Sequence, residues 1–252
     1  MQNEVEIVNF EDVDLSGATV IAGFPSIGLV STIAANYLID ALDLEQVGCL
    51  KSSQFPALSV VHTGEPLSPV RIYAGTHAEG EKIGVFVSEF KPKPHLINGI
   101  SDAIMRWVET KGCKTLISPE GMVVEGKDND EDTADAYAIG STEDARNMLT
   151  ENDVSQFKNG IIAGVSGVLL NLGKQSNFDV ISILAEAHPN YPDAKAAAAA
   201  INVIALTLGI EINVTPLYKE SERIEKKLQK FHKQAKPMVS GSGKAPQPNM
   251  YG

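Results

Sequence analysis

Apolar residues along this chain alternate between short runs and helical stripes. Thr19-Val20-Ile21-Ala22 is a run of strand length, after which Ile27, Val30, Ala34, Tyr37 and Leu38 recur near a 3.6-residue period. Between them, Gly23-Phe24-Pro25-Ser26-Ile27-Gly28 forms a glycine-bracketed turn, with Ser26 placed to cap the helix. Strand, tight turn and helix in that order open a parallel α/β sheet. Gly23 is expected to turn the chain sharply, and Gly28 to let the helix sit close on the strand.

The pattern repeats downstream. Further strands are predicted at Val5–Val8, an edge, and at Gln46–Leu50, Leu58–His62, Val70–Ala74, Lys82–Ser88, Thr115–Ser118, Ala136–Ile139, Asn159–Val165 and Asp179–Ala185. The loop from Thr63 to Pro69 pairs Leu58–His62 with Val70–Ala74 as a hairpin. Pro92 and Pro94 exclude regular structure over residues 89–94. A helix over Leu96–Lys111 buries Ile97, Ile100, Ile104, Trp107 and Val108, and Gly112 supplies its C′ residue. Ser141 to Asp144 has capping-box spacing and leads into a helix ending near Leu149. Gly164-Val165-Ser166-Gly167 opens another through Leu172, and an alanine-rich helix runs from Asp193 to Leu208 before Gly209. This alternation predicts a three-layer α/β/α domain with a mostly parallel sheet, spanning residues 1–216.

Beyond it, residues 217–236 read as an amphipathic helix. Leu217, Ile224, Leu228, Phe231 and Ala235 recur at three- and four-residue steps, close to a coiled-coil seam. Such a helix either docks on its own domain or packs against sister helices. Pro237 stops it, and residues 237–252, rich in Gly, Ser and Pro, read as a flexible tail. The tail ends in Met250-Tyr251-Gly252: an apolar side chain, a phenol and a free carboxylate, together a compact docking group.

The formal charge of −11 over 252 residues argues against general nucleic-acid binding. It is unevenly spread. From Leu217 onward there are eight Lys or Arg against three Asp or Glu, a net +5 that leaves −16 on the rest. Cys49 and Cys113 imply no disulfide framework and are expected as core thiols in a reducing cytoplasm. No signal peptide and no membrane-length apolar run is visible.

Several motifs fall short of the chemistry they suggest. Gly23 and Gly28 have G-x-x-x-x-G spacing, but Leu29 and Val30 stand where a phosphate loop needs Lys and Ser or Thr. Asp128, Asp130 and Asp132 imitate the start of a calcium loop, yet Thr133 replaces its glycine and Ile139 its closing glutamate. Around Ser166 the order G-x-S-x-G fails at Val168. No cofactor and no metal is expected.

Gly23-Phe24-Pro25-Ser26-Ile27-Gly28-Leu29-Val30 resembles the G-F-P-x-x-G-L-V signature of the proteasome assembly chaperone family, in its archaeal branch. Ile162 to Leu170, Leu184-Ala185-Glu186-Ala187-His188-Pro189 and Tyr191-Pro192-Asp193 support the match, which covers about residues 5–215. The resemblance marks Gly23, Phe24, Pro25 and Gly28 as the signature turn. It implies nucleoside-phosphorylase-like sheet topology, no established catalytic site, and a role in assembling the proteasome core particle or binding its α-ring. Met250-Tyr251-Gly252 is similar to the hydrophobic-Tyr-X tails that enter pockets between α subunits. In that comparison Met250 is the anchor, Tyr251 the ring and hydroxyl contact, and Gly252 the carboxylate facing a pocket lysine. The expected protein is a homo-oligomer presenting several tails to the proteasome α-ring, with no nucleic-acid or membrane partner. The alternative is an enzyme acting on a nucleoside or phosphate ester, with Arg71, Lys91, His95 and Ser166 as its candidate residues. The blander readings place Arg71 and Lys91 on the surface and His95 at a helix start.

Overall fold

The computed structural model describes residues 5–123 and 134–221. Its elements in chain order begin with β1 (Glu6–Asn9), β2 (Thr19–Gly23), α1 (Val30–Ala41), β3 (Glu45–Lys51), β4 (Val60–His62) and β5 (Glu65–Leu67). β6 (Val70–Thr76), β7 (Lys82–Ser88), α2 (Pro94–Thr110), β8 (Thr115–Met122) and β9 (Ala136–Gly140) follow. The series closes with α3 (Glu143–Glu151), α4 (Gly164–Ser176), β10 (Asp179–Glu186) and α5 (Ala194–Leu208).

Eight strands form one sheet in the order β1-β3-β6-β7-β2-β8-β10-β9. The four central strands β7, β2, β8 and β10 run parallel. With β3 they make five strands in one direction, against β1, β6 and β9 in the other. Every residue of β2 is buried, as a strand covered on both faces requires. Ile21, Val85, Ile117 and Ile183 point to one face, where α1, α3 and α5 cover them. Val20, Phe86, Leu116 and Val180 point to the other, beneath α2 and α4. The alternation of side chains along each strand thus divides the core into two, and the three layers expected from the sequence are present.

The helix ends follow their chemistry. Asp193 caps α5 by accepting the Ala196 amide at 2.9 Å, and Gly209 closes that helix with a φ of 71°. Gly112, at φ 64°, follows α2 as expected. Cys49 and Cys113 are both free and buried, and burial pushes the Cys113 thiol up to about 11.

The structure revises several local readings. Gly23 and Gly28 exchange roles. A Cβ on Gly23 would lie 2.3 Å from the Ala35 Cβ, so Gly23 is the residue that admits the helix. Gly28, at φ 60°, is the one that turns the chain. Leu29 also adopts a left-handed conformation at φ 51°, and α1 therefore starts at Val30, after a short 3₁₀ turn over Ile27–Leu29.

The expected hairpin is differently paired. β4 pairs with β5, inside the presumed loop, and stands apart from the main sheet, whereas β6 pairs with β3 and β7. Pro94 begins α2 instead of excluding it, because a first-turn residue needs no amide hydrogen. Thr142, not Ser141, caps α3; the Ser141 hydroxyl donates to the Phe178 carbonyl at 2.7 Å. Residues 159–163 form no strand, and Ile161 is 94 % exposed there.

Residues 215–221 are helical, and Leu217 and Tyr218 pack on the α1, α3 and α5 side of the core. The rest of the expected C-terminal helix, the tail with Met250, Tyr251 and Gly252, and the acidic stretch from Lys127 to Thr133 lie outside the described residues.

Candidate functional site

The signature turn hangs off the carboxyl end of β2 and is held from three sides. The Ser26 hydroxyl accepts the Ser31 amide at 3.2 Å and the Gly121 amide at 3.3 Å, tying α1 and β8 to the turn. The role expected for Ser26 is thus performed at a distance, on the second residue of α1. At Gly28 the carbonyl accepts the Asp193 amide at 2.8 Å, while the Asp193 carboxylate accepts the His188 amide at 3.0 Å. The turn, the loop after β10 and the start of α5 therefore form one hydrogen-bonded unit. Gly121 completes the fit, since a Cβ there would lie 2.0 Å from the Ile27 carbonyl oxygen.

Phe24, Pro25, Ser26 and Ile27 form one wall of a crevice of about 320 Å³. The remaining walls come from Lys91 and Pro92 after β7, Ile97 of α2, Glu120 to Val123 at the end of β8, Leu184 of β10, and residues 157–165 leading into α4. β8 and β10 contribute residues near their carboxyl ends and β2 and β7 the loops that follow theirs, the usual place for ligands in open α/β sheets.

The polar part of the crevice is a chain of three side chains. The Ser118 and Ser166 hydroxyls lie 2.5 Å apart, and the Ser166 hydroxyl donates to Glu120 Oε1 at 2.5 Å. Ser118 and Ser166 are buried, whereas Glu120 lines the crevice. Burial raises the Glu120 carboxyl to about 7, against the opposing pull of the Ser166 hydrogen bond and the Lys91 charge. Among the described residues, no Lys, Arg or His is close enough to Glu120 for an ion pair.

Of the four enzyme candidates, the crevice gathers two. Lys91 is exposed at its margin and Ser166 lies behind Glu120. Arg71 is not a surface charge. It is 4 % exposed, pairs with Glu89 at 2.5 Å and donates to the Ser68 carbonyl at 3.1 Å, a structural role outside the crevice. His95 lies exposed in the first turn of α2 and does not line the crevice. Glu120 escaped the sequence reading. A lone Glu at a strand end carries no spacing signal, and only the fold sets Ser118 and Ser166 beside it. Among the described residues, no three His, Cys, Asp or Glu side chains gather as a metal site would require.

A two-sided sheet, a signature turn at its centre and a crevice at its carboxyl edge place this chain with a known class. Residues 20–232 match the PAC2 family, and the chain belongs to that family. Its solved relatives include Pyrococcus furiosus PbaA, described as an archaeal homologue of proteasome-assembly chaperone. PbaA is 30 % identical, with a TM-score of 0.79 over 93 % of this chain and 99 % of that one. P. furiosus PbaB, described as an archaeal proteasome activator, shares the fold at 24 % identity, with a TM-score of 0.80 over 91 % and 99 % of the two chains. Among curated sequences, the uncharacterised protein MJ0106 of Methanocaldococcus jannaschii is 29 % identical over 97 % of this chain and 98 % of its own.

Proposed function

We propose that this protein binds the proteasome core particle as an assembly chaperone or activator, by docking its C-terminal residues into pockets between α-ring subunits. The observation that carries this reading is membership of the PAC2 family, with full-length similarity to PbaA, an archaeal homologue of proteasome-assembly chaperone. The ending Met250-Tyr251-Gly252 adds a second, independent support, because its chemistry suits such a pocket. Met250 fills an apolar slot, the Tyr251 phenol reaches a hydrogen-bond partner, and the Gly252 carboxylate pairs with a lysine.

One tail alone binds weakly, since three residues bury little surface and the tether loses entropy on docking. Several tails on a homo-oligomeric body gain avidity if their spacing matches the ring. A flexible segment of the length from Pro237 to Gly252 would span about 20–25 Å as a coil and roughly 50 Å when extended. The test is co-purification of proteasome α subunits with intact protein and with protein lacking Met250–Gly252. Retention should fall at least about tenfold on deletion, while the melting curve and elution volume stay unchanged; equal retention would refute the reading.

A further inference from the structure

The proposed tail docking does not call on the crevice at the carboxyl ends of the central strands, and the composition of that crevice is specific. Most of its surface is apolar, with Phe24, Ile97, Met122, Phe157 and Leu184 among its walls. A carboxyl group interrupts this surface. Glu120 is fixed from behind by the Ser166 hydroxyl, which in turn meets the Ser118 hydroxyl. Such a polar chain gains little in a merely structural crevice, because a half-buried carboxyl with no cation at ion-pair distance is costly to hold among apolar walls. Its volume lies at the small end of the range typical of small-molecule sites.

We propose that this crevice binds a small organic cation, an ammonium or amidinium group on an apolar body, with the Glu120 carboxylate as counter-ion. The cation supplies the close ion pair that Lys91, acting on Glu120 only from the margin, does not make, and the apolar body covers the aromatic and aliphatic walls. An anion would meet Glu120 directly. A neutral apolar molecule would leave the carboxyl unpartnered. A metal ion would find one carboxylate where several oxygen ligands are needed. Lys91 is the only other titratable side chain lining the crevice among the described residues; exposed at the margin, it stays hydrated and opposes the ligand's charge.

This geometry makes opposite predictions for two substitutions. Benzylamine, titrated against the full chain by calorimetry or NMR shifts, should bind more tightly than benzyl alcohol or benzoate. Its affinity should rise about tenfold from pH 6 to pH 8, as a carboxyl titrating near 7 ionises while the amine stays protonated. Glu120→Gln should abolish both the preference for the amine and its pH dependence. Lys91→Met, on an exposed side chain, should strengthen benzylamine binding severalfold at pH 8.5, where Glu120 is ionised with or without the Lys91 charge. Benzylamine binding no tighter than benzyl alcohol, or weakened by Lys91→Met, would overturn the proposal. So would a preference for benzoate. Tail-deleted protein should bind benzylamine unchanged, which separates this test from that of α-ring docking.

Discussion

Glu120 illustrates how one residue can couple pH to stability. Its carboxyl sits near 7 in the fold and near 4.5 in an unfolded chain, because burial disfavours the charged form. The folded state therefore holds a proton that the unfolded state has released. This contribution is fully present below about 4.5 and is lost as pH rises through about 7. Over that window the loss amounts to about 3 kcal/mol at most. Glu120→Gln, which keeps the shape without the charge, should flatten this component. Urea melts at pH 5 and pH 8.5 should show the variant gaining on the wild type at the higher pH, and parallel losses in both proteins would contradict the assignment. Gly28 and Leu29 show a different residue-scale device. Two consecutive left-handed residues hold the signature turn open, and at Leu29 a side chain accepts a conformation normally left to glycine, at a cost of about 1–2 kcal/mol.

At the scale of elements, the turn, the loop after β10 and α5 share one anchor. Asp193 caps α5 through one carboxylate oxygen, holds the His188 amide through the other, and gives its own amide to Gly28. Asp193→Ala should cost about 2 kcal/mol, at the upper end of a single cap, because it orphans two donors at once. Asp193→Asn, with one acceptor oxygen where the aspartate uses two, should recover only part of that loss, and chemical denaturation of the three proteins checks the ranking. The same scale shows what was legible in the sequence. The buried strands and the long helices were readable because a short unbroken apolar run, as in β2 and β7, and a 3.6-residue period, as in α2, are written in consecutive residues. Pairing was less readable. Glu65-Pro66-Leu67 looks like a loop, yet forms β5 because β4 lies beside it. Ile161-Ile162 looks like a buried strand, yet Ile161 is exposed: the chain bridges to β9 at Gln156 and then leaves the sheet. The crevice was half legible. The glycines and proline of its turn stand out in sequence, whereas Ser118 and Glu120, two residues apart on β8, meet Ser166 only because α4 packs beside that strand.

For the whole molecule, charge separation sets the expected behaviour. The body is acidic, and the chain from Leu217 onward carries a net +5. A basic extension should steer toward an acidic ring face, an effect that salt screens over about 10 Å at 0.1 M. In the docking proposed above, association with α-rings should accordingly slow as salt is raised from 50 to 300 mM, while dissociation, set there by the short terminal contact, changes less. Stopped-flow or surface-based kinetics would detect this split, and an association rate indifferent to salt would remove steering from the account.

The β4–β5 hairpin has a consequence for how this architecture tolerates change. Its ladder closes on itself and shares no strand with the eight-stranded sheet. Residues can therefore be added or lost at its tip, around Thr63 and Gly64, without shifting any pairing that holds the crevice in shape. Variation in length and composition among kindred proteins should collect on this arm, leaving the central strands free to keep their geometry.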